Sequence, residues 1–169
     1  MTDSVEHLAH SLKSEILRNV FDVWRKTANG RIGPQRAELS PAKLRKTTSH
    51  TFAVDLIDDG QDFRFGFTGE KVMQFLDRRC DAPTLTGLRG TRFFDEAEKL
   101  IRRCVADAQP VISSPRRTHY FGREYLEREV LLLPLSEDGV HVTGLLGAFD
   151  TWLLGTHSPA EPVASIGHS

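Results

Sequence analysis

The stretch DFRFGFTGEKVMQFL, residues 62 to 76, narrows the folds open to this chain more than any other, because its apolar period changes in the middle. Phe63, Phe65 and Phe67 alternate, as on a strand with one aromatic face; Val72, Phe75 and Leu76 then fall at helical spacing. Thr68-Gly69 joins the two. A strand entering a helix through glycine is a common phosphate-binding place, but a dinucleotide loop needs several glycines and a P-loop adds Gly-Lys-Ser/Thr. Here one glycine is followed by Glu70, whose carboxylate repels an anion. The aromatic face is therefore expected to cover something, rather than the turn to bind something.

The elements around this switch set the fold class. Val5, Leu8, Leu12, Ile16, Val20, Val23 and Trp24 recur at steps of three and four, predicting one amphipathic helix from about residue 4 to Lys26, ended by Asn29-Gly30. Its narrow seam suits packing on its own domain, with coiled-coil pairing to a second subunit as the rival. Ser40 before Pro41 predicts an N-cap and a short helix. Residues 51–58 alternate and pair through Asp59-Gly60 with the phenylalanine strand. A helix from Glu70 to about Arg79 and an interrupted segment lead to a second helix over RFFDEAEKLIRRCVADA. Three strands follow, VISSPRRTHYF, REYLEREVLLLPL and GVHVTGLLGAFDTW, with residues 136–139 as the last loop.

Two strands, helices and then three strands do not alternate one by one. The order therefore predicts an α+β fold: a five-stranded antiparallel sheet with helices on one face, preceded by the long N-terminal helix. The expected division is a helix over 1–30, a domain over 31–154 and a disordered tail over 155–169. At 169 residues the chain is long enough to bury a core without staples.

Lys+Arg 22 against Asp+Glu 23, a formal charge of -1, argues against general nucleic-acid binding. The two cysteines, Cys80 and Cys104, form no CxxC pair, and no histidines cluster at metal spacing. The charged N-terminus lacks a signal core and no run reaches membrane-spanning length, so a cytoplasmic protein with reduced thiols is expected.

These residues resemble the PAS fold, and in detail the stand-alone proteobacterial PAS family with a tryptophan-bearing helix before the core. The tryptophan is Trp24. PQRAELSP, residues 34 to 41, resembles the family's Pro-x-Arg-x-x-Leu/Ile-Asp-Pro element, with Ser40 in place of the acid. FRFGFTGEKV, DAPTLTG and LEREVLLLPLSEDGVHVTGLLG are further matches, and the similarity runs from about residue 20 to 152. Gly66 departs from the bulky residue expected there, which signals a widened pocket or a bulge. The resemblance implies a sensory or interaction module in bacterial signal transduction, not a chemistry.

PAS relatives hold haem, flavin or a small metabolite between sheet and helices. His50 and His119 are the histidines near core elements, His119 the better placed, but a lone histidine is more often hydrogen-bonded structure than a haem ligand. Cys80 in RRCDAP departs from the flavin-type Asn-Cys-Arg-Phe run, and both cysteines read as ordinary thiols. No resident cofactor is expected. A ligand pocket would be walled by Phe65, Phe67, Val72, Phe75, Leu76, Phe93, Phe94 and Leu146, with Arg116, Thr118 and Tyr120 for polar recognition; the competing reading is that these side chains fill the core themselves.

Ser113, Ser114, Asp55, Asp58, Glu127 and Glu129 are framed by no catalytic motif, and the carboxylates read as solvating, so no enzyme is expected. Arg78-Arg79, Arg102-Arg103 and Arg116-Arg117 raise an alternative, a receptor for a nucleotide second messenger, beside that of a haem or flavin sensor. The favoured reading is a non-catalytic module that binds a signalling protein, forms a homodimer and accommodates a small ligand. Leu8, Leu12, Ile16, Val20 and Trp24 are its expected interface.

Overall fold

The computed structural model describes residues 2–75, 84, 87, 94–120 and 124–153. Five strands form one antiparallel sheet in the order β2-β1-β5-β4-β3: β1 (Thr51–Ile57), β2 (Asp62–Thr68), β3 (Val111–Tyr120), β4 (Glu124–Leu135) and β5 (Gly144–Leu153). Asp59 and Gly60 make the turn between β1 and β2 with φ of 53° and 82°, as the Asp-Gly signal predicts. The expected antiparallel α+β architecture is present.

Alternation along β4 and β5 builds two cores. Leu131, Leu133, Leu135, Leu146 and Ala148 join one buried cluster, while Leu132 and Leu145 join the other. Helix α5 (Phe94–Asp107) covers the second through Ile101 and Cys104, alongside Val54, Phe63 and Val111. The opposite face is covered as well: Leu12, Leu17, Val20, Phe21, Trp24 and Ala28 pack on Leu131, Leu133 and Ala148. The sheet thus has a helical layer on each side, the N-terminal segment supplying the outer one.

That segment is two helices, not the single one expected over residues 4–26. α1 (Thr2–Ser11) and α2 (Glu15–Ala28) are separated at Leu12, Lys13 and Ser14. Ser14 is extended, with φ -76° and ψ 124°, and its Oγ accepts from Leu17 N, so it caps α2 in competition with helical continuation. Asn29 ends α2 in the left-handed region, as anticipated. Ser40 caps α3 (Pro41–Leu44), with Pro41 in its first turn; a 3-10 segment over Arg45–His50 follows.

The three-phenylalanine face is also revised. Phe63 is buried and Phe65 half-buried on the α5 side, but Phe67 is 50% exposed. Val54 pairs with Phe65, yet Phe52 pairs with Thr68, so β2 carries one extra residue and the phase slips after Phe65. Gly66 sits in this bulge. A Cβ there would lie 2.7 Å from Arg36 Nη2, so the residue is small because a guanidinium lies against it. Gly69 is under tighter constraint: a Cβ would meet the Ser49 and Thr48 carbonyl oxygens at 2.4 and 2.5 Å.

The last strand starts later than its sequence pattern predicts. Residues 140–143 remain in the loop because Asp138 Oδ1 accepts from the amides of Val140 and His141, and Ser136 Oγ donates to His141 O. Helix α4 (Glu70–Phe75) is the described part of the helix expected to reach Arg79. The expected tail, 155–169, lies outside the described residues.

Candidate functional site

The inner layer, between the sheet and α5, is where a ligand walled by the expected residues would lie. Phe65 meets Phe52 as a tilted ring pair with centroids 6.2 Å apart. Val72 is buried on α4, which packs on the 3-10 segment before β1. Leu146 lies on the far side of the sheet, among the leucines beneath α2, so it does not share a wall with Phe63 or Phe65. Phe67 projects into solvent, and so does Met73. Phe75 and Phe94 are placed by backbone within their helices, and Arg116, Thr118 and Tyr120 by register opposite Arg128, Leu126 and Glu124. The side chains of these five, and all of Leu76 and Phe93, lie outside the described part.

Charge enters the inner layer at Arg128. This nearly buried side chain on β4 reaches Glu96 of α5 through Nη2, and Ser113 Oγ donates to the other Glu96 oxygen at 3.1 Å. The group anchors α5 to β3 and β4. Beside it, Arg102 stands 5.4 Å over the Phe63 ring and pairs with Glu98 at 3.1 Å. Arg103 reaches Asp107 at 3.8 Å. Cys104 is fully buried, which, with Asp107 nearby, pushes its thiol up to about 12 and leaves it inert. Cys80 and the Arg78-Arg79 pair lie outside the described residues.

The outer layer contains a polar cluster that sequence reasoning missed. Glu129 is 0% exposed. Its Oε1 accepts from Ser14 N at 2.9 Å and Lys13 N at 3.1 Å, and its Oε2 from Lys13 N at 3.0 Å. Ser14 Oγ donates to Asp150 Oδ2 at 2.7 Å. Glu129 and Asp150 are register partners across β4 and β5, so two carboxylates lie side by side under the α1–α2 break. Burial raises Glu129 above its ordinary value, and the two amides and Asp150 act on it in opposite directions. The overlooked signal was parity: Glu129 shares alternate positions with Leu131, Leu133 and Leu135, the face of its strand that the N-terminal helices bury.

His50 adjoins this cluster. Its Nε2 is 3.8 Å from Asp150 Oδ1 and its Nδ1 is 3.1 Å from Ser49 Oγ; burial pulls its pKa below the ordinary value, more than Asp150 offsets. Two of the other candidate carboxylates have structural partners: Asp55 takes Arg36 Nη1 at 2.5 Å, and Glu127 accepts from Trp152 Nε1 at 2.9 Å. Among the described residues, no three His, Cys, Asp or Glu side chains are grouped to hold a metal. No described helix is long and apolar enough to cross a membrane.

The expected interface residues divide by burial. Leu12, Val20 and Trp24 belong to the chain's own outer core, whereas Leu8 and Ile16 are half-buried. Trp24 Nε1 donates to Pro134 O at 2.8 Å, and Ser136 N to Pro34 O at 3.0 Å, joining the tryptophan helix and the Pro-x-Arg element to the end of β4.

Among curated proteins nothing matches this chain. A solved chain described as the structure of an RNA-binding light-oxygen-voltage receptor is similar at 14% identity and a TM-score of 0.44, covering 69% of this chain and 33% of that one. This chain thus spans about a third of that receptor chain's length. A family model described as PAS domain matches residues 12–150, which takes in α2, the Pro-x-Arg element, β1 to β4 and most of β5. The chain belongs to the PAS domain family.

Proposed function

We propose that this PAS domain is a non-catalytic signalling module that passes its state to a partner protein, as a homodimer, with a small ligand in the inner layer as its input. The observation that carries this reading is the two-sided sheet. Neighbouring residues of β4 and β5, Leu131 with Leu132 and Leu145 with Leu146, face α5 on one side and α2 on the other. A shift of the inner layer therefore bears directly on the backbone that seats α2, because packed interiors transmit strain. A differential affinity of about 1–3 kcal/mol between two such arrangements is enough for regulation.

The docking surface in this reading centres on Leu8 and Ile16, the half-buried members of the N-terminal stripe. Leu12, Val20 and Trp24 contribute only if the helices lift from the sheet. Phe65 and Val72, with Phe75, Leu76, Phe93, Phe94, Arg116, Thr118 and Tyr120, remain the proposed ligand residues, while Leu146 acts through α2 rather than as a wall.

Native mass spectrometry of protein as isolated tests both parts. A dimer that becomes monomeric in the Leu8→Glu/Ile16→Glu variant, with unchanged circular dichroism, is the expected result. A dimer that survives the change removes these helices from the mechanism. A mass increment of haem, flavin or a cyclic dinucleotide would replace the reading with a cofactor or second-messenger sensor.

A further inference from the structure

We infer that Glu129 and Asp150 form a proton-gated latch that holds α1 down on the sheet at the α1–α2 break. Leu12 anchors the break in the outer core, and this pair takes its polar contacts. Three contacts from the Lys13 and Ser14 amides converge on Glu129, the Ser14 hydroxyl binds Asp150, and Arg18 Nη1 takes the Leu12 carbonyl at 3.3 Å. Unwinding at Ser14 would cost the α2 cap and both carboxylate contacts together, so α1 docks or releases as a unit. Two amides and one hydroxyl stabilise the carboxylates, which are side by side in the ladder and shielded from water.

A way for water to reach the latch exists at one edge. A cleft of about 220 Å³ is lined by Leu8 and Ser11 of α1, Arg103 of α5, Pro110, Ile112 of β3, and Glu129 itself. Glu129 has no exposed surface while α1 is seated; a small outward movement of Leu8 and Ser11 opens the cleft onto it. The charged and titratable groups facing the latch are Lys13 at the break, Arg18 on α2, Asp150 on β5, Glu127 on β4, His50 before β1 and Arg103 on α5.

The sign follows from linkage. Burial, the largest cause of the raised Glu129 value, is present while α1 is seated and is relieved when α1 is released and the carboxyl is wet, so the seated carboxyl holds its proton more tightly. The seated state binds more protons, so docking is favoured in acid and weakens as pH rises from about 4.5 through the raised value. Each unit of difference changes the docking equilibrium about tenfold. The latch is a property of α1 and β4 and stands whether or not a partner or ligand binds.

Hydrogen-exchange protection of α1 and of the Lys13 and Ser14 amides, corrected for intrinsic exchange at each pH, reads this directly in the full chain between about pH 4 and pH 8. Expected is a loss of protection of about tenfold per unit of the Glu129 shift, confined to α1 while α2 stays protected, and abolished in Glu129→Gln. Asp150→Asn, which removes the neighbouring charge, should move the loss to lower pH. Protection that is flat with pH in the wild type, a slope retained in Glu129→Gln, or a transition unmoved by Asp150→Asn overturns the latch.

Discussion

Trp24 Nε1 donates a hydrogen bond to the carbonyl oxygen of Pro134 at 2.8 Å, tying α2 of the outer helical layer to the end of β4. Proline there has no amide to give the ladder, and its carbonyl faces the indole. Trp24→Phe keeps most of the ring's burial but leaves that carbonyl without its donor. A loss of about 1–3 kcal/mol in urea unfolding is expected, and a change below about 0.5 kcal/mol would mean water replaces the indole.

Two glycines near the β2 corner should respond differently to alanine. At Gly69 the added methyl meets two backbone carbonyls of the 3-10 segment, and backbone cannot step aside. At Gly66 it meets the end of the Arg36 side chain, which can. Gly69→Ala is expected to destabilise by about 1–3 kcal/mol or more, and Gly66→Ala by under about 1 kcal/mol. Equal melting temperatures for the two would refute the assigned contacts.

The carboxylates of α5 offer a similar contrast. Glu96 reaches the nearly buried Arg128 on the sheet, while Glu98 pairs with the half-exposed Arg102 on its own helix. Removing Glu96 takes away the Arg128 ion pair and the Ser113 acceptor together. Glu96→Ala should cost about 2–3 kcal/mol, and Glu98→Ala less than about 1 kcal/mol. Chemical denaturation of both variants decides this, and a larger loss at Glu98 would contradict the anchoring of α5.

His50 sets a pH dependence of opposite sense to Glu129. Its pKa is lowered in the folded chain, so the unfolded state binds the proton more readily. The His50 contribution is intact above the ordinary value of 6.5 and is lost as pH falls through it towards the depressed folded value. Wild type and His50→Gln should therefore show a stability difference that shifts against the wild type between about pH 7 and pH 5. A difference constant over that range would indicate an imidazole with the same affinity for protons in both states.

The order of elements was legible in the sequence because each depends on local period and local stops. Alternation from Thr51 to Ile57, Asp59-Gly60 at the hairpin, Ser40-Pro41 at a helix start and Asn29 at a helix end were each found where their chemistry placed them. The misread positions have one cause in common: a side chain distant in sequence, or a polar group, competed with the local pattern. Apolar spacing runs unbroken through Leu12 and Ile16, yet the helix stops because the Ser14 and Lys13 amides find the Glu129 carboxylate, 115 and 116 residues away. The three phenylalanines alternate evenly, yet Phe67 leaves the row because the β1–β2 register takes up an extra residue beside Arg36.

By itself, then, the sequence determined the architecture: periods, caps and turns are short-range, and they leave one antiparallel sheet with helices to cover it. Tertiary structure decided which face each helix took, that the N-terminal stripe would be used largely within the chain, and that Glu129 would be buried rather than solvated. Those outcomes depend on which strands become neighbours. Burial and carboxylate pairing are properties of the assembled sheet, and no single segment carries them.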